Sequence, residues 1–444
     1  VPDGASGSPQ IIIVCGGKGT RLAGQIGDLP KILTPIDGSP LLERLFRDLA
    51  ATLDRASVLM LAGHGGDQVA DAARDLAPDG FDVEVLIESK PLGTAGALLA
   101  LDGRLAERFA FVCGDILTSL DWRRFLDHAD DRAGLGTLLV HRSTHPEDSD
   151  LVILDDADRA VGWSRRGDRR AGGVAGALGN AGLAVLHRDI LRYVPRDRPS
   201  DLFRDVMPGL VDRRAPLHGY RTSEYVRDMG TPDRLASVAD DVASGRIYRK
   251  AELVLLDRDG VINREGELVT RPDMLELIPG SARGIARLNR AGIRVEVVTN
   301  QSILARGLAT EDDLGRIHAR LRELLAAEGA RLDRIRYSPH HPETHHGEGI
   351  DALRGPSRSR KPSTGLVDDA LDGTDIPAWR ALVIGDRTGD MQLAVNAGLA
   401  SIGVQTGAAQ GDGLCPARPV WTFPDLDAAS RWLTGAVPGL DGAP

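Results

Sequence analysis

The sequence predicts an α/β protein made of two domains. Three observations carry this. The chain has 444 residues, more than one ordinary domain needs. Short apolar runs rich in Val, Ile and Leu alternate with amphipathic stretches, the pattern of buried parallel strands joined by helices. A fresh strand-like run then begins after VASGRIYRKA (242–251), so the domains are placed at 1–248 and 252–444.

Taken in order, IIIVCGG (11–17) reads as a buried strand feeding a glycine loop. In PLLERLFRDLA, Leu41, Leu42, Leu45, Phe46 and Leu49 share one helical face. ASVLMLAG, FAFVCGD and LGTLLVH are further strands. LVLLDRDG (253–260) repeats the opening pattern, with acids where the first run has glycines. IRVEVVTN is the next strand. In TEDDLGRIHARLRELL, Leu314, Ile317, Leu321, Leu324 and Leu325 form a stripe, with Thr310 as N-cap and acids in the first turn. ALVIGD closes the series. No internal repeat or low-complexity tract interrupts it, and both termini read as loose.

Composition narrows the function classes. With 42% hydrophobic, 27% charged and only 4% aromatic residues, the cores must be built from aliphatic side chains. A net charge of −10 argues against nucleic acid or an anionic membrane as partner. No apolar run approaches the ~18 residues of a membrane span, and VPDGASGSPQ lacks the features of a signal peptide. The three scattered cysteines, Cys15, Cys113 and Cys415, fit a reducing cytoplasm. Of 54 basic residues only Lys18, Lys31, Lys90, Lys250 and Lys361 are lysines. A retained lysine marks a place for a compact point charge rather than a planar fork.

Residues 14–35 read VCGGKGTRLAGQIGDLPKILTP. Gly16, Gly17 and Gly19 follow a strand and let backbone N–H groups approach a polyphosphate. Arg21 adds a fork for phosphate oxygens. The pattern is neither a Walker loop nor a dinucleotide fingerprint. The longer GGKGTRL…LPK resembles the sugar-1-phosphate nucleotidylyltransferases, most closely the heptose-1-phosphate guanylyltransferase type. The resemblance runs over about 1–245, through ESKPLGTAGALLAL, FVCGDIL, GNAGLAVL and YVRDMGTPDRL. It implies a Rossmann-like domain with a mixed sheet. It also implies phosphate binding at Gly16, Gly17, Gly19 and Thr20, with Arg21 on the departing phosphates and Lys31 between the α-phosphate and the sugar phosphate. Gly93 and Thr94 would contact the base and Asn180 the sugar. Asp115 and Asp228 would share a Mg²⁺. Two departures are visible. The family's Glu-Lys pair is replaced around GWSRRGD by Arg165 or Arg166, and Cys15 replaces a small alanine as a packing residue.

In the second half, Asp257 and Asp259 lie just past a buried strand. A lone Asp-x-Asp says little, for LVILDDADR (151–159) has the same spacing and reads as a β-turn. The difference lies downstream, in Thr299 and Asn300 after VEVVTN, Lys361 in RKPSTG, and Asp386 and Asp390 in ALVIGDRTGD. These four motifs resemble the haloacid-dehalogenase-like phosphatases, closest to the capless D-glycero-D-manno-heptose 1,7-bisphosphate and histidinol phosphatases. The resemblance spans about 252–407 and implies a capless Rossmannoid domain. Asp257 would be the nucleophile and Asp259 the general acid and base. Asp257, Asp386 and the Asp259 carbonyl would hold Mg²⁺. Thr299, Asn300 and Lys361 would grip the phosphoryl group, with Arg306 and Arg360 also binding substrate.

One stretch departs from that family. It carries a zinc loop, Cys-x-His then Cys-x-Cys before Arg-Lys-Pro. Here the sequence has Ser338-Pro339-His340, then Ser357-Arg358-Ser359 before Arg360-Lys361-Pro362. Serine hydroxyls are poor zinc ligands, so zinc is not expected, despite the nearby His341, His345 and His346. Together the resemblances imply a bifunctional enzyme. It would strip the C7 phosphate from heptose 1,7-bisphosphate and then join the heptose 1-phosphate to a nucleotide from GTP or ATP. Another pair of phosphorylated substrates, or a non-catalytic sensor half, are the alternatives. The partners are sugar phosphates and a nucleoside triphosphate; the sequence does not give the oligomeric state.

Overall fold

The computed structural model describes residues 8–17, 21–143, 149–165, 177–266, 268–343 and 349–435. Gly19, Thr20, Arg166, His345, His346 and both termini lie outside the described residues.

The first half is organised on a nine-stranded sheet. Phe81–Ile87, Ala56–Ala62, Gln10–Cys15 and Arg108–Cys113 are parallel neighbours in that order. Ala177–His187 then runs antiparallel to Arg108–Cys113 and continues into the hairpin Leu151–Leu154/Ala160–Ser164. Gly136–His141 pairs with Ala177–His187 and with Leu217–Arg221. The sheet is therefore mixed, as the family resemblance implied, and not all parallel, as strand–helix alternation implied. The alternation fails past residue 136 because Leu151–Leu154, Ala160–Ser164 and Ala177–His187 follow one another with no helix between them among the described residues, and the first two form a hairpin, which only antiparallel strands can. The Asp155 turn closes that hairpin, its carboxylate accepting from the N–H groups of Ala157 and Arg159.

Outside this sheet, Ile116–Ser119 and Tyr225–Asp228 form a two-stranded antiparallel ribbon with Asp228 opposite Ile116.

The second half is a six-stranded, all-parallel sheet. Its order is Arg334–Ser338, Arg294–Asn300, Leu253–Leu256, Ala381–Gly385, Ala400–Val404, Trp421–Phe423. Leu253–Leu256 and Ala381–Gly385 are buried along their whole length, as expected of strands covered on both faces. Helix Glu311–Ala327 starts from a capping box in which Thr310 and Asp313 satisfy each other's backbone N–H. Asp257, Asn300 and Asp386 all fall at the carboxyl ends of central strands, where open α/β sheets bind ligands.

The halves pack tightly on each other. Trp421 Nε1 donates to the Tyr220 hydroxyl at 2.7 Å, and Trp432 Nε1 to Asp121 at 2.8 Å. Arg380 is fully buried. Its guanidinium donates to Ser223 O at 2.7 Å, to Arg249 O and to Glu252 at 3.1 Å. Such a cation costs several kcal/mol to desolvate, roughly, unless its donors are satisfied as these are.

Candidate active sites

The phosphatase-like site is a dense charge cluster. Asp257 leaves the end of Leu253–Leu256, Asp386 the end of Ala381–Gly385, and Asp390 sits in the first turn of helix Thr388–Ala397. Carboxylate oxygens from these three acids lie within 4.8 Å of one another. Among the described residues no other such group of three possible ligands occurs. Lys361 bridges two of them, at 2.8 Å from Asp257 and 2.6 Å from Asp390. Burial, then the charge of Asp257, pushes the Asp386 carboxyl up to about 8. Burial raises Asp390 to about 6 against the pull of Lys361. One Asp386 oxygen, Oδ1, is buried without a hydrogen-bond partner. Unrelieved negative charge, an orphaned oxygen and all-carboxylate donors fit a hard divalent cation such as Mg²⁺. Gly260 is required here. Its φ is +78°, and a side chain would come within 2.4 Å of Asp386 Oδ2.

The other predicted residues of this half separate by what they touch. Arg258 holds Asp259 through contacts of 2.9 Å, joined by Asn263 at 2.8 Å and Gln301 at 3.0 Å. Burial alone would raise Asp259, but these partners more than offset it and hold the carboxyl below its ordinary range. Asn300 accepts from the Lys361 N–H at 3.0 Å and donates to its carbonyl at 3.3 Å, so it positions the lysine. Thr299 is buried and accepts from Gln301. Asp257, Asp259, Thr299, Asn300, Arg360, Lys361 and Asp390 line one cavity of about 410 Å³. Arg306 does not line it. Its guanidinium is 2.9 Å from His341 Nε2, so in this structure the arginine that the sequence assigned to substrate lies outside the cavity.

The loop that resembles a zinc site is brought together without thiolates. Ser359 Oγ donates to Ser338 Oγ at 3.1 Å and lies 3.0 Å from Ser357 Oγ, while Ser338 Oγ is 3.5 Å from His340 Nδ1. All four positions thus meet in one hydroxyl–imidazole network. His341 is occupied elsewhere, its Nδ1 accepting from the Glu343 N–H.

The transferase-like site is more open. Its cavity, about 420 Å³, is lined by Gly16, Gly17, Lys31, Glu88, Gly93, Thr94, Asp115 and the segment Pro199–Asp201 with Arg204. Glycine at position 16 lets the Glu88 carboxylate lie against the loop; a side chain there would meet Glu88 Oε2 at 2.6 Å unless that carboxylate moved. Lys31 Nζ is 3.2 Å from Asp115. Asp228 is held at 2.7 Å by Arg234. The two acids are neighbours along the chain fold, since Met229 N donates to Asp115 O at 2.9 Å. Arg21 is exposed, its guanidinium against Gly230.

Other residues singled out in the sequence are placed as follows. The Thr94 hydroxyl donates to Asp201 at 2.9 Å and accepts from the Leu202 N–H at 2.8 Å, which fastens the wall of the cavity that Thr94 lines. Asn180 sits beside a β-bulge, its carboxamide facing the Gly182 N–H, and does not line the cavity. Arg165 is exposed after Ala160–Ser164. Cys15 lines the cavity, but its thiol donates to Leu61 O, and burial followed by Glu88 pushes it up to about 12, so it stays unreactive.

Sequence reasoning missed three features. Ser200 and Asp201 join the cavity only through contacts made a hundred residues away in sequence. Asp390 was visible as an acid, but not as a cluster member. Glu88 was quoted within a motif without a role. Its Oε1 is buried with no partner, and burial raises its pKa.

Comparison with known proteins assigns a family to each half. Residues 10–245 match the family described as Nucleotidyl transferase, and residues 358–429 match the HAD-hydrolase-like family. The D-glycero-beta-D-manno-heptose-1,7-bisphosphate 7-phosphatase of Rhodopseudomonas palustris is 40% identical over 32% of this chain and 78% of its own. The mannose-1-phosphate guanylyltransferase of Mycobacterium tuberculosis is 30% identical over 64% of this chain and 80% of its own. A crystal structure of the D,D-heptose 1,7-bisphosphate phosphatase from B. bronchiseptica, complexed with magnesium and phosphate, is 34% identical over 41% of this chain and 98% of its own, with a TM-score of 0.36. The chain therefore belongs to the nucleotidyl transferase family through its first half and to the heptose-bisphosphate 7-phosphatase family of HAD-like hydrolases through its second.

Proposed function

We propose that this chain is a bifunctional enzyme of nucleotide-activated heptose synthesis. It removes the C7 phosphate of a D-manno-heptose 1,7-bisphosphate, then transfers a guanylyl group from GTP to the heptose 1-phosphate with release of pyrophosphate. The observation that carries this is the presence in one chain of two unlike phosphoryl sites. One is the buried acid cluster around Lys361; the other is the open cavity bearing Lys31 and Asp115. The substrates connect chemically. A D-manno-heptose has the ring configuration of mannose, the sugar named for the Mycobacterium relative. Loss of the distal phosphate leaves a mannose-like 1-phosphate for the second site.

In the phosphatase, Asp257 attacks phosphorus and becomes an aspartyl phosphate. Lys361 neutralises phosphoryl oxygens, and Asn300 holds Lys361 in place. Asp259 gives a proton to the leaving sugar oxygen and then takes one from the attacking water. Arg258, Asn263 and Gln301 fix its carboxylate and favour the ionised form that the second step needs. Asp257, Asp386 and Asp390, with the Asp259 carbonyl, would hold Mg²⁺. That ion supplies positive charge against which carboxylate and phosphate can approach. In the transferase, catalysis is positioning and charge stabilisation. Lys31 holds the α-phosphate and the sugar phosphate together, Arg21 meets the departing phosphates, and Asp115 with Asp228 would hold the second Mg²⁺.

Glu88 favours guanine. An unpartnered carboxylate at the cavity wall can accept from the N1–H and N2–H₂ of guanine, groups that adenine lacks. The test is incubation with heptose 1,7-bisphosphate, Mg²⁺ and all four triphosphates, with products identified by mass. GDP-heptose with equal phosphate and pyrophosphate is expected. Inert bisphosphate, or nucleotide transfer with the C7 phosphate retained, would refute the sequence of reactions.

A further inference from the structure

The second half of the chain supplies part of the first half's core. Trp379 lies in the short turn Ala378–Arg380, which runs directly into the strand ending at Asp386. Its ring is 5% exposed and packs with Leu41, Leu117, Tyr225, Met229 and Val238. All of these belong to the transferase half. Leu117 follows Asp115 by two residues, and Met229 follows Asp228 directly. The Tyr225 ring lies 6.2 Å from that of Trp379 at 62°. The guanidinium of Arg227, the residue before Asp228, sits 5.3 Å from its centroid, and that of Arg380 5.1 Å. Arg380 in turn donates to Ser223 O, just upstream of the ribbon strand. Trp379 thus lies under the ribbon Ile116–Ser119/Tyr225–Asp228. An isolated two-stranded ribbon is marginally stable and needs an apolar floor. This one sits outside the main sheet.

We propose that Trp379 is a positioning residue for nucleotidyl transfer. It holds the ribbon so that Asp115 and Asp228 keep the spacing a shared Mg²⁺ requires. The inference rests on the reading that those two acids hold the transferase metal. Its consequence is that the transferase site is complete only with the phosphatase half docked.

The test uses the full chain carrying Trp379→Ala. The Mg²⁺ concentration for half-maximal transfer should rise about tenfold, the scale seen when an outer support of a metal site is removed. Mn²⁺ binding with GTP present, followed by electron paramagnetic resonance in an Asp386→Asn background, should weaken by a similar factor. Phosphate release from the bisphosphate should stay within about twofold, and Trp379→Phe should restore most of the loss. If Trp379→Ala melts below the assay temperature, Trp379→Leu is read in the same way. Metal dependence and Mn²⁺ binding unchanged in the folded variant would overturn the proposal. Asp228→Asn separates the two claims. If it alters metal dependence while Trp379→Ala does not, the positioning role alone is overturned. If Asp228→Asn also changes nothing, the metal assignment falls, and the proposal with it.

Discussion

The two acid clusters follow opposite plans. In the phosphatase half, Asp257, Asp386 and Asp390 are buried around one lysine, and burial, then the charge of Asp257, lifts Asp386 to about 8. In the transferase half, the Asp115 and Asp228 side chains are 30% and 44% exposed, and each has its own cation, Lys31 or Arg234. The proposed function gives the difference a chemical reason. A carboxylate that must itself attack phosphorus has to be fixed and kept from water. A site that brings two bound phosphates together needs room and cations on mobile stems. The phosphatase-half acids share one buried lysine, while each transferase-half acid keeps its own cation nearer solvent.

The sharpest way to break this comparison is Asp257→Asn. Phosphate release should drop by about 10⁴-fold or more, as expected on losing a nucleophile. Transfer to supplied heptose 1-phosphate should stay within about twofold, because the sites share no reacting group. Parallel phosphate and pyrophosphate assays check this, and loss of both would mean the sites are not independent. A smaller effect is expected for Glu88→Gln. The ratio of kcat/KM for GTP over ATP should narrow by about ten- to a hundredfold, the worth of a charged hydrogen bond. An unchanged ratio would remove Glu88 from base selection.

The smallest effect concerns Asp48, a half-buried acid of the transferase half with no place in either site. It accepts from Thr118 Oγ1, Leu120 N and Trp122 Nε1, whereas Asp386 Oδ1 has no partner. Burial raises Asp48 from 3.8 to about 6, although Thr118, Trp122 and Lys250 pull the other way. The folded chain then keeps a proton that the unfolded chain releases. Its contribution to stability is largest at low pH and declines as pH rises from about 4 to about 6, by about 1–3 kcal/mol in all. Thermal melts of the native chain against Asp48→Asn should show that decline only in the native chain.

What could be read from the sequence was what is local. An apolar run ending in an acid announces a strand and the residue at its tip, so Asp115, Asp257 and Asp386 were found. Asp390 was seen, but its role depends on the helix bringing it back beside Asp386 after one turn. The Ser200–Arg204 wall was not legible, because the Thr94–Asp201 contact spans 107 positions. Trp379 was silent for a similar reason. No motif or periodicity marks a side chain whose apolar neighbours lie in the other half. The Leu151–Leu154/Ala160–Ser164 hairpin escaped the strand–helix pattern because a hairpin leaves no helix to read.

The knot of Ser338, His340, Ser357 and Ser359 has one more consequence. A fastening made of hydroxyls offers a chelator nothing to extract and peroxide no sulfur to attack. The segment that delivers Arg360 and Lys361 to the phosphate should keep its shape through metal starvation and oxidative stress alike.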